Sequence, residues 1–288
     1  MLLEKNLLGE TVDKVQQAVS RLRMFEPPEG YYLAFSGGKD SQAVYHLARR
    51  AGVKFEAVYR ITSVDPPELI RFIKEKYPDV RLEFPRDSDG RVITMWNLIP
   101  KKKMPPTRLV RYCCERLKES GGKGRLTLTG VRWAESLGRK NNQGFIVTNG
   151  KRPLKAAKQN NAKYKESPKG GTVLNYDDDA TRRTVEQCYR TNKTILNPII
   201  DWETDEVWEY LNEVEQVEHC VLYDEGYERL GCIGCPLSCN AKKELERWPK
   251  YRQAYIRAFG RMLDARKEAG LETQWENAEA VMRWWTKN

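Results

Sequence analysis

The chain has 288 residues, with 50 Lys and Arg against 40 Asp and Glu, so its formal net charge is +10 at pH 7. This length allows one large domain with a smaller one appended, and the basic balance favours a polyanionic partner. The sequence has no apolar run that could span a membrane, and Met1 to Phe25 carries charges throughout, unlike a secretory signal. We therefore expect a cytoplasmic protein whose seven cysteines are reduced ligands or reactive thiols.

The first predicted elements are a helix, a strand and a second helix. A surface helix is predicted within residues 1–29 from apolar residues spaced three and four apart, namely Leu8, Val12, Val15, Val19 and Leu22. The short aromatic run Tyr31–Phe35 then predicts a buried strand after a Pro-Pro-Glu-Gly turn. Apolar residues at helical spacing follow from Ala43, and Gly52 is predicted to cap this second helix.

Between the strand and the second helix lies Ser36-Gly37-Gly38-Lys39-Asp40-Ser41. The two glycines let the main chain approach a phosphate. The backbone amides at the start of the second helix point towards the same place, and the helix dipole favours a negative charge there. The serines add hydroxyl donors, Lys39 adds a cation and Asp40 is a candidate magnesium ligand. A Gly-Gly pair alone would indicate only a turn, but its polar and charged neighbours favour a phosphate site. The spacing excludes the Walker pattern and lacks the third glycine of the dinucleotide fingerprint.

Further strands alternate with helices. Strands are predicted at 55–60, 80–84 and 126–130, with a helix beginning at Pro66-Pro67. This alternation predicts an α/β fold with a Rossmann-like parallel sheet that has helices on both faces. Ligands then bind beyond the carboxyl ends of the strands, where the 36–41 loop and the 130–139 segment begin. We expect this domain to span 30–200, with a helical C-terminal subdomain over 201–288.

The segment 139–193 is polar and basic. Between Lys151 and Lys193 it contains eleven Lys or Arg against five Asp or Glu, with few large apolar residues. Two interpretations have equal weight. One is a mobile lid or an excursion that contacts a nucleic acid, such as tRNA or DNA, and the other is a solvated surface loop.

Five of the cysteines form a candidate metal site. Cys232, Cys235 and Cys239 have C-x2-C-x3-C spacing, and the upstream pair Cys113-Cys114 can supply a fourth thiolate. Four thiolates suit either tetrahedral zinc or a 4Fe-4S cluster, and the Cys-Pro after the C-x2-C is closer to the iron-sulfur pattern. The alternative is a set of inert buried cysteines, and the sequence leaves open which of the upstream pair is the ligand. The two histidines form no recognisable catalytic triad.

These motifs, taken in order, resemble the phosphoadenosine phosphosulfate reductase family within the ATP pyrophosphatase superfamily. The resemblance covers most of residues 30–240 and rests on Ser36–Ser41, Arg111–Cys114 with Leu117-Lys118, Gly130–Ser136 with Arg139, Asn197–Trp202 before Glu206–Trp208, and Gly231–Pro236. It implies an adenine nucleotide alpha-hydrolase-like fold in which the segment from Gly130 to Arg139, including Ser136, helps to bind the nucleotide.

Charged residues in these motifs are candidates for the chemistry. Arg132 and Arg139 can neutralise phosphate or sulfate, and Glu135 can orient an arginine or bind magnesium. Lys118 is expected to face the phosphates. With Lys39 and Asp40, we take Lys118, Arg132 and Arg139 as the catalytic set, against the alternative that each arginine makes a surface salt bridge.

Two features indicate the branch of this family. The reductases attack sulfur with a cysteine near the C-terminus, whereas no cysteine follows Cys239 here, and the phosphate loop is the complete version of ATP-cleaving members. The chain is closest in character to the ATP pyrophosphatase of DNA phosphorothioation. We expect Mg²⁺-dependent cleavage of ATP to AMP and pyrophosphate, which activates an acceptor for sulfur transfer with a sulfur donor protein. A sulfonucleotide reductase that releases sulfite and a zinc-stabilised, nucleotide-dependent nucleic-acid-binding protein remain the alternatives.

Overall fold

The computed structural model describes residues 2–5, 9–168 and 170–287 and divides into two compact units. The first comprises Met1–Tyr59, Phe72–Arg81 and Gly122–Glu225, and the second comprises Arg60–Arg71, Leu82–Gly121 and Gly226–Asn288. The second unit therefore joins two internal segments to the C-terminal helices, and residues 201–225 belong to the first unit. The boundary predicted at residue 201 marks the change from strands to helices along the chain. Such a change in local structure does not indicate which segments pack together.

The described residues form ten strands and eleven α-helices. The strands are β1 (Leu3–Lys5), β2 (Thr11–Asp13), β3 (Tyr31–Ala34), β4 (Phe55–Arg60), β5 (Arg81–Glu83), β6 (Thr127–Leu128), β7 (Ile146–Asn149), β8 (Tyr164–Glu166), β9 (Gly171–Leu174) and β10 (Thr194–Leu196). The helices are α1 (Lys14–Met24), α2 (Lys39–Ala51), α3 (Pro67–Lys76), α4 (Met95–Lys102), α5 (Leu137–Asn142), α6 (Lys151–Gln159), α7 (Asp179–Cys188), α8 (Thr204–Glu209), α9 (Ala241–Arg247), α10 (Pro249–Glu268) and α11 (Ala278–Lys287).

Eight of the strands form one sheet in the order β5-β4-β3-β6-β10-β7-β9-β8. The pairings of β3 with β4 and β6, and of β6 with β10, are parallel. Leu33, Leu128 and Leu196 from three of these strands are almost fully buried and belong to the core. The predicted α/β, Rossmann-like class is thus confirmed, and β3 and β6 end next to the predicted phosphate loop and Gly130.

The second predicted helix has the expected cap. Gly52 follows α2 with φ 68°, a left-handed conformation that glycine adopts without strain. The helix buries Ala43, Val44 and Leu47 in the core. The N-terminal helix is shorter than the 1–29 segment, since α1 begins at Lys14 and is preceded by the antiparallel pair β1 and β2. Leu8, part of the predicted pattern, lies outside the described residues.

The basic segment 139–193 is regular rather than a loop. Its strands β7, β9 and β8 extend the sheet with antiparallel pairings, and its helices α6 and α7 pack against each other. The surface-loop interpretation is therefore wrong for the described residues. Each strand has only three or four residues, so its few apolar side chains do not stand out in a segment whose overall composition is polar.

The second unit contains the predicted helical C-terminal part. Helix α10 packs against α4 and α11, and Tyr255, Phe259 and Trp285 lie in the core between them. The indole N–H of Trp285 donates to the carbonyl of Pro106 at 2.6 Å. Across the described ranges, no helix is both long enough and apolar enough to cross a bilayer.

His46 on α2 predicts a pH-dependent stability. Burial lowers the pKa of this imidazole, and nearby Glu215 opposes the shift only in part. The unfolded state, in which His titrates near about 6.5, then binds more protons, so the free energy of unfolding should fall as the pH drops below that value. Urea unfolding between pH 7.5 and 5 should show a shallower fall for His46→Gln. An equal fall in the two proteins would contradict this assignment.

Candidate nucleotide site and cysteine group

The phosphate loop is held in shape by its own serines. The Ser41 hydroxyl donates to the carbonyl of Gly38 at 2.9 Å and accepts from the amide and hydroxyl of Ser36 at 3.1 and 3.0 Å. Gly37 has φ 72°, a conformation that glycine adopts readily. The loop therefore leads from β3 directly into the first turn of α2. This is the strand, loop and helix order that the sequence predicts.

The buried side chain of Gln42 fixes the loop from below. Its Nε2 donates to the carbonyl of Gly37 at 3.1 Å, and its Oε1 accepts from the hydroxyl of Tyr77 at 2.9 Å. Gln42 is 0 % exposed, so its amide has exchanged water for these partners. The sequence analysis did not predict Gln42 as a site residue. The signal that could have revealed it is a polar residue, directly after Ser41, on a helix face that is otherwise apolar.

Lys39 and Tyr223 meet at the start of α2. The backbone N–H of Lys39 donates to the Tyr223 hydroxyl at 2.9 Å, and the Lys39 ammonium lies 5.7 Å from the centroid of the Tyr223 ring. The Lys39 Nζ is also 3.8 Å from Asp40 Oδ2. Tyr223 was not predicted as a site residue, because no local pattern marks it.

Arg132 contacts Asp40, and both belong to the predicted catalytic set. Its Nε donates to Asp40 Oδ1 at 2.7 Å, and its Nη1 donates to the carbonyl of Trp202 at 3.1 Å. Both terminal nitrogens also reach the Thr204 hydroxyl at 3.3 to 3.4 Å. Arg132 is only 2 % exposed, so this guanidinium fixes the orientation of Asp40 and is not a surface salt bridge.

Gly130 brings the end of β6 against the start of α2. A Cβ at this position would lie 2.6 Å from the carbonyl oxygen of Asp40, which is closer than atoms of these types can approach. Only glycine therefore allows the 130–139 segment to reach the phosphate loop. The structure thus brings together Gly130, Arg132 and the loop, as the sequence predicts.

Glu135, Ser136 and Arg139 follow Arg132 in a short turn and helix. Glu135 Oε2 accepts from the backbone N–H of Arg132 at 3.0 Å and pairs with the Arg139 guanidinium. The Ser136 hydroxyl accepts from the Arg139 N–H at 3.2 Å and caps α5. Glu135 therefore holds the backbone of Arg132 and the side chain of Arg139. The binding of phosphate by Arg139, whose side chain is 34 % exposed, stays a prediction.

The tandem cysteines lie in the second unit at a distorted helical turn. Residues Cys114–Lys118 form a π-helical turn, closed by the Glu119 N–H to the Cys114 carbonyl at 2.8 Å. A hydrogen bond from Cys113 lowers the pKa of Cys114 to about 5, and the nearby cations Arg111 and Lys118 act in the same direction. The same hydrogen bond, with burial, raises the pKa of Cys113. Cys114 is therefore the more acidic thiol of the pair.

Glu244 stabilises the loop that carries Cys232 and Cys235 through two hydrogen bonds. The Glu244 carboxylate accepts from the Gly234 N–H at 2.8 Å and from the Ser238 hydroxyl at 2.7 Å. Gly234 has φ 70°, which turns the chain between the two cysteines. Burial raises the pKa of the Cys232 thiol, whose Sγ lies 3.5 Å from the Thr62 hydroxyl. Glu244 and Thr62 were not predicted as site residues.

Lys118 lies with the cysteines in the second unit. Cys232 is the strongest influence that raises the pKa of Lys118, and Asp65 and Cys114 add to it. Lys118 therefore places a positive charge beside the cysteine sulfurs of this unit, and its predicted contact with phosphates stays a prediction.

Four of the five predicted ligands influence one another. Cys113 interacts with Cys114, Cys232 and Cys235, whereas Cys239 is exposed. Among the residues that the structure describes, no three His, Cys, Asp or Glu side chains form a group that could hold a metal ion as they stand. As a donor set, four thiols with adjacent cations have the chemistry that suits zinc or an iron-sulfur cluster. The metal site itself stays a prediction.

Comparison with known proteins gives a family match and more distant similarities, among them a sequence relative and a solved structure. The model of the phosphoadenosine phosphosulfate reductase domain matches residues 30–238. An uncharacterized protein of Methanocaldococcus jannaschii is 26% identical over 265 residues, which cover 87% of this chain and 51% of that protein. The chain thus spans about half the length of this relative. The crystal structure of the Candida glabrata FMN adenylyltransferase with FAD and inorganic pyrophosphate is also similar. The match covers 81% of this chain and 73% of the adenylyltransferase chain, with 16% identity and a TM-score of 0.42.

Proposed function

Because the chain belongs to the phosphoadenosine phosphosulfate reductase domain family, whose model matches residues 30–238, we propose that it cleaves ATP between its α and β phosphates. The products would be AMP, transferred to an acceptor, and pyrophosphate, with sulfur transfer as the overall purpose. The observation that carries the proposal is the pairing of the complete phosphate loop with Asp40, which buried Arg132 holds in place.

The loop supplies the contacts for a leaving pyrophosphate. The amides of the first turn of α2 and the helix dipole favour an anion at this point. The Lys39 ammonium adds a full positive charge next to these amides. Because the loop hydrogen bonds are formed before the nucleotide arrives, little reorganisation is needed when charge develops on the leaving group.

Asp40 fits the place of a magnesium-binding carboxylate in this scheme. One of its oxygens accepts from Arg132, and the other lies 3.8 Å from the Lys39 ammonium. Mg²⁺ keeps most of its waters and binds through one or two carboxylates together with phosphates. When bound, the ion would neutralise the charge of the pyrophosphate.

Cys113, Cys114, Cys232 and Cys235 would hold the metal of the second unit. A bound 4Fe-4S cluster would supply electron transfer or sulfur chemistry, whereas zinc would supply structural bracing. The chain contributes Lys118 and Arg111, whose positive charges stabilise the thiolates, and Glu244, which holds the Cys232 loop in its turn.

Product analysis of anaerobically purified protein is the direct test of the proposed cleavage. The protein is incubated with Mg-ATP, sulfide, and either bulk tRNA or plasmid DNA, and the nucleotides and pyrophosphate are quantified. We expect AMP and pyrophosphate in equal amounts, and none from Lys39→Ala. Release of ADP and orthophosphate, or sulfite release from phosphoadenosine phosphosulfate in the absence of ATP cleavage, would contradict the proposal.

The cysteine group predicts a selective loss of metal. Anaerobic wild-type protein should contain about four iron and four sulfide per chain, or about one zinc if the site is structural. Cys235→Ser should lose this metal, whereas Cys239→Ser should keep it, because Cys239 is exposed and is not among the thiols that interact with Cys113. Cys188→Ser in the first unit is the control. Full metal content in Cys235→Ser would rule out this ligand set.

A specific surface favours nucleic acid as the acceptor or partner. One face of α6 presents four exposed cations, namely Lys151, Arg152, Lys155 and Lys158. No ion pair to a carboxylate is recorded for these four within the described part of the chain, and the side of α6 opposite them buries Pro153, Ala156 and Ala157. Four cations along about 10 Å of helix can follow a phosphate backbone.

Replacement of three α6 lysines tests this contact. Lys151, Lys155 and Lys158 changed together to Gln should weaken binding to duplex DNA or tRNA and lower the salt slope of log K by about 2 to 3. The matched control changes the exposed Lys5, Lys54 and Lys74 of the same unit and removes the same charge. Equal losses in both triple variants, measured by fluorescence anisotropy at several salt concentrations, would show that only net charge matters.

A further inference from the structure

The hydroxyl of Tyr223 occupies the first turn of α2, on the side of the loop that carries the Lys39 ammonium. It accepts from the Lys39 backbone N–H at 2.9 Å, and a Cβ built on Gly38 would lie 3.3 Å from the same oxygen. The Lys39 ammonium lies 5.7 Å from the ring centroid. One side chain therefore covers an amide and faces a cation that the proposed pyrophosphate would use.

Tyr223 is placed there by its own segment. Its backbone N–H donates to the carbonyl of Cys220 at 3.0 Å, and Cys220 and Leu222 are buried on either side of the turn. The Trp208 and His219 rings pack against the Tyr223 ring, with centroids 4.9 and 6.0 Å away. The turn itself is thus anchored, while the half-buried tyrosine ring extends from it over the loop.

We propose that Tyr223 is a displaceable cap on the phosphate loop, which the pyrophosphate portion of the nucleotide must remove in order to bind. This inference rests on the proposed function of the loop. A backbone N–H carries one hydrogen and cannot form two well-directed bonds at once, to a hydroxyl and to a phosphate oxygen. The cap satisfies this donor in the free protein, and a charge-assisted bond to phosphate replaces it in the complex.

The cap predicts that removal of one oxygen atom tightens binding. Tyr223→Phe removes the hydrogen bond to the Lys39 N–H from the free protein, whereas in the complex the hydroxyl has already left that amide. The affinity for magnesium pyrophosphate and for ATP should therefore rise by about two- to tenfold. A hydroxyl that instead contacted the bound phosphate would make the same variant bind more weakly.

Titration calorimetry of the full chain with magnesium pyrophosphate and with ATP tests the cap. Wild type, Tyr223→Phe and the control Tyr176→Phe are compared, since Tyr176 is an exposed tyrosine of the same unit whose ring faces the Lys163 ammonium at 4.7 Å. We expect tighter binding in Tyr223→Phe alone. Tryptophan fluorescence is a second measurement: pyrophosphate should change the signal of wild type and not that of Trp208→Phe, because Trp208 contacts the cap.

The outcomes separate the cap from the proposed function. If wild type binds both ligands and Tyr223→Phe binds them equally or more weakly, the cap is overturned and the loop keeps its proposed role. A fluorescence change that persists unaltered in Trp208→Phe also counts against displacement of Tyr223. If neither protein binds pyrophosphate or ATP, the proposed function fails, and the cap fails with it.

Discussion

Replacing Arg132 with methionine is expected to lower the rate of ATP cleavage by about a hundredfold or more. The Arg132 guanidinium is buried and donates to Asp40, to the Trp202 carbonyl and to Thr204. Methionine fills the space but leaves Asp40 without this donor, so under the proposed function the carboxylate would lose its orientation towards the phosphates and their magnesium. Pyrophosphate release at saturating Mg-ATP measures the loss.

The contact with Asp40 predicts that Arg132 is a positioning residue that acts through this carboxylate, and a double-mutant cycle tests this role. Asp40→Asn and the double variant should be about as slow as Arg132→Met, because the two side chains form one unit. The apparent affinity for Mg²⁺ should also fall in both single variants. Arg132→Lys, which keeps the charge but not the forked geometry, should recover part of the rate. Additive losses with an unchanged magnesium dependence, in variants that unfold at the wild-type temperature, would show that Arg132 does not act through Asp40.

Replacing Gly130 with alanine is expected to have the second large effect. The added Cβ would lie 2.6 Å from the carbonyl oxygen of Asp40 and 2.7 Å from its carbonyl carbon. Both are backbone atoms at the start of α2, so the contact is relieved only if β6 and the loop move apart. Such overpacking costs about 1–3 kcal/mol of stability, and a displacement of about 1 Å at a reacting group can cost about a hundredfold in rate.

Gly138→Ala is the matched control for this substitution. Gly138 lies in α5 of the same segment, where a Cβ would have the Ser136 hydroxyl as its nearest neighbour at 3.9 Å. Alanine there should leave the rate unchanged and stabilise the helix slightly. Thermal unfolding and pyrophosphate release are measured on both variants. Wild-type activity in Gly130→Ala would show that the close approach of β6 to the loop is not required.

Much of the nucleotide site could be predicted from the sequence because its central feature is local. The apolar run of β3, the paired glycines and the cap at Gly52 lie within about twenty consecutive residues, and each acts on its immediate neighbours. The same reasoning failed for 139–193, where β7, β8 and β9 are too short to stand out from a polar background. β7 is stabilised by pairing with β9 and β10, which lie 22 to 50 residues further along the chain, and β8 by pairing with β9.

In the cysteine group too, local features could be predicted from the sequence and features that depend on tertiary packing could not. The sequence marks Cys232 and Cys235 by their spacing, since a Gly turn between them is a local property. It does not indicate Glu244 or Thr62, because a carboxylate on a helix and a threonine after a strand are ordinary residues until packing brings them to the loop. It gave Lys118 a role at the phosphates, which stays a prediction, and it did not indicate that this lysine lies with Cys114 and Cys232 in the second unit.

The sequence by itself determined the α/β class, the phosphate loop and the candidate ligands, because strand, turn and helix signals act over a few residues. The tertiary structure decided which residues complete the loop: Arg132, 92 positions from Asp40, and Tyr223, 184 positions from Lys39. The pairing of Arg132 with Asp40 depends on the order of parallel strands in the sheet, which places the ends of β3 and β6 side by side. The pairing of Tyr223 with Lys39 depends instead on the turn that carries Tyr223, which is anchored by buried Cys220 and Leu222. No spacing along the chain encodes these arrangements, so the contacts that Arg132 and Tyr223 make with the loop are seen only in the tertiary structure.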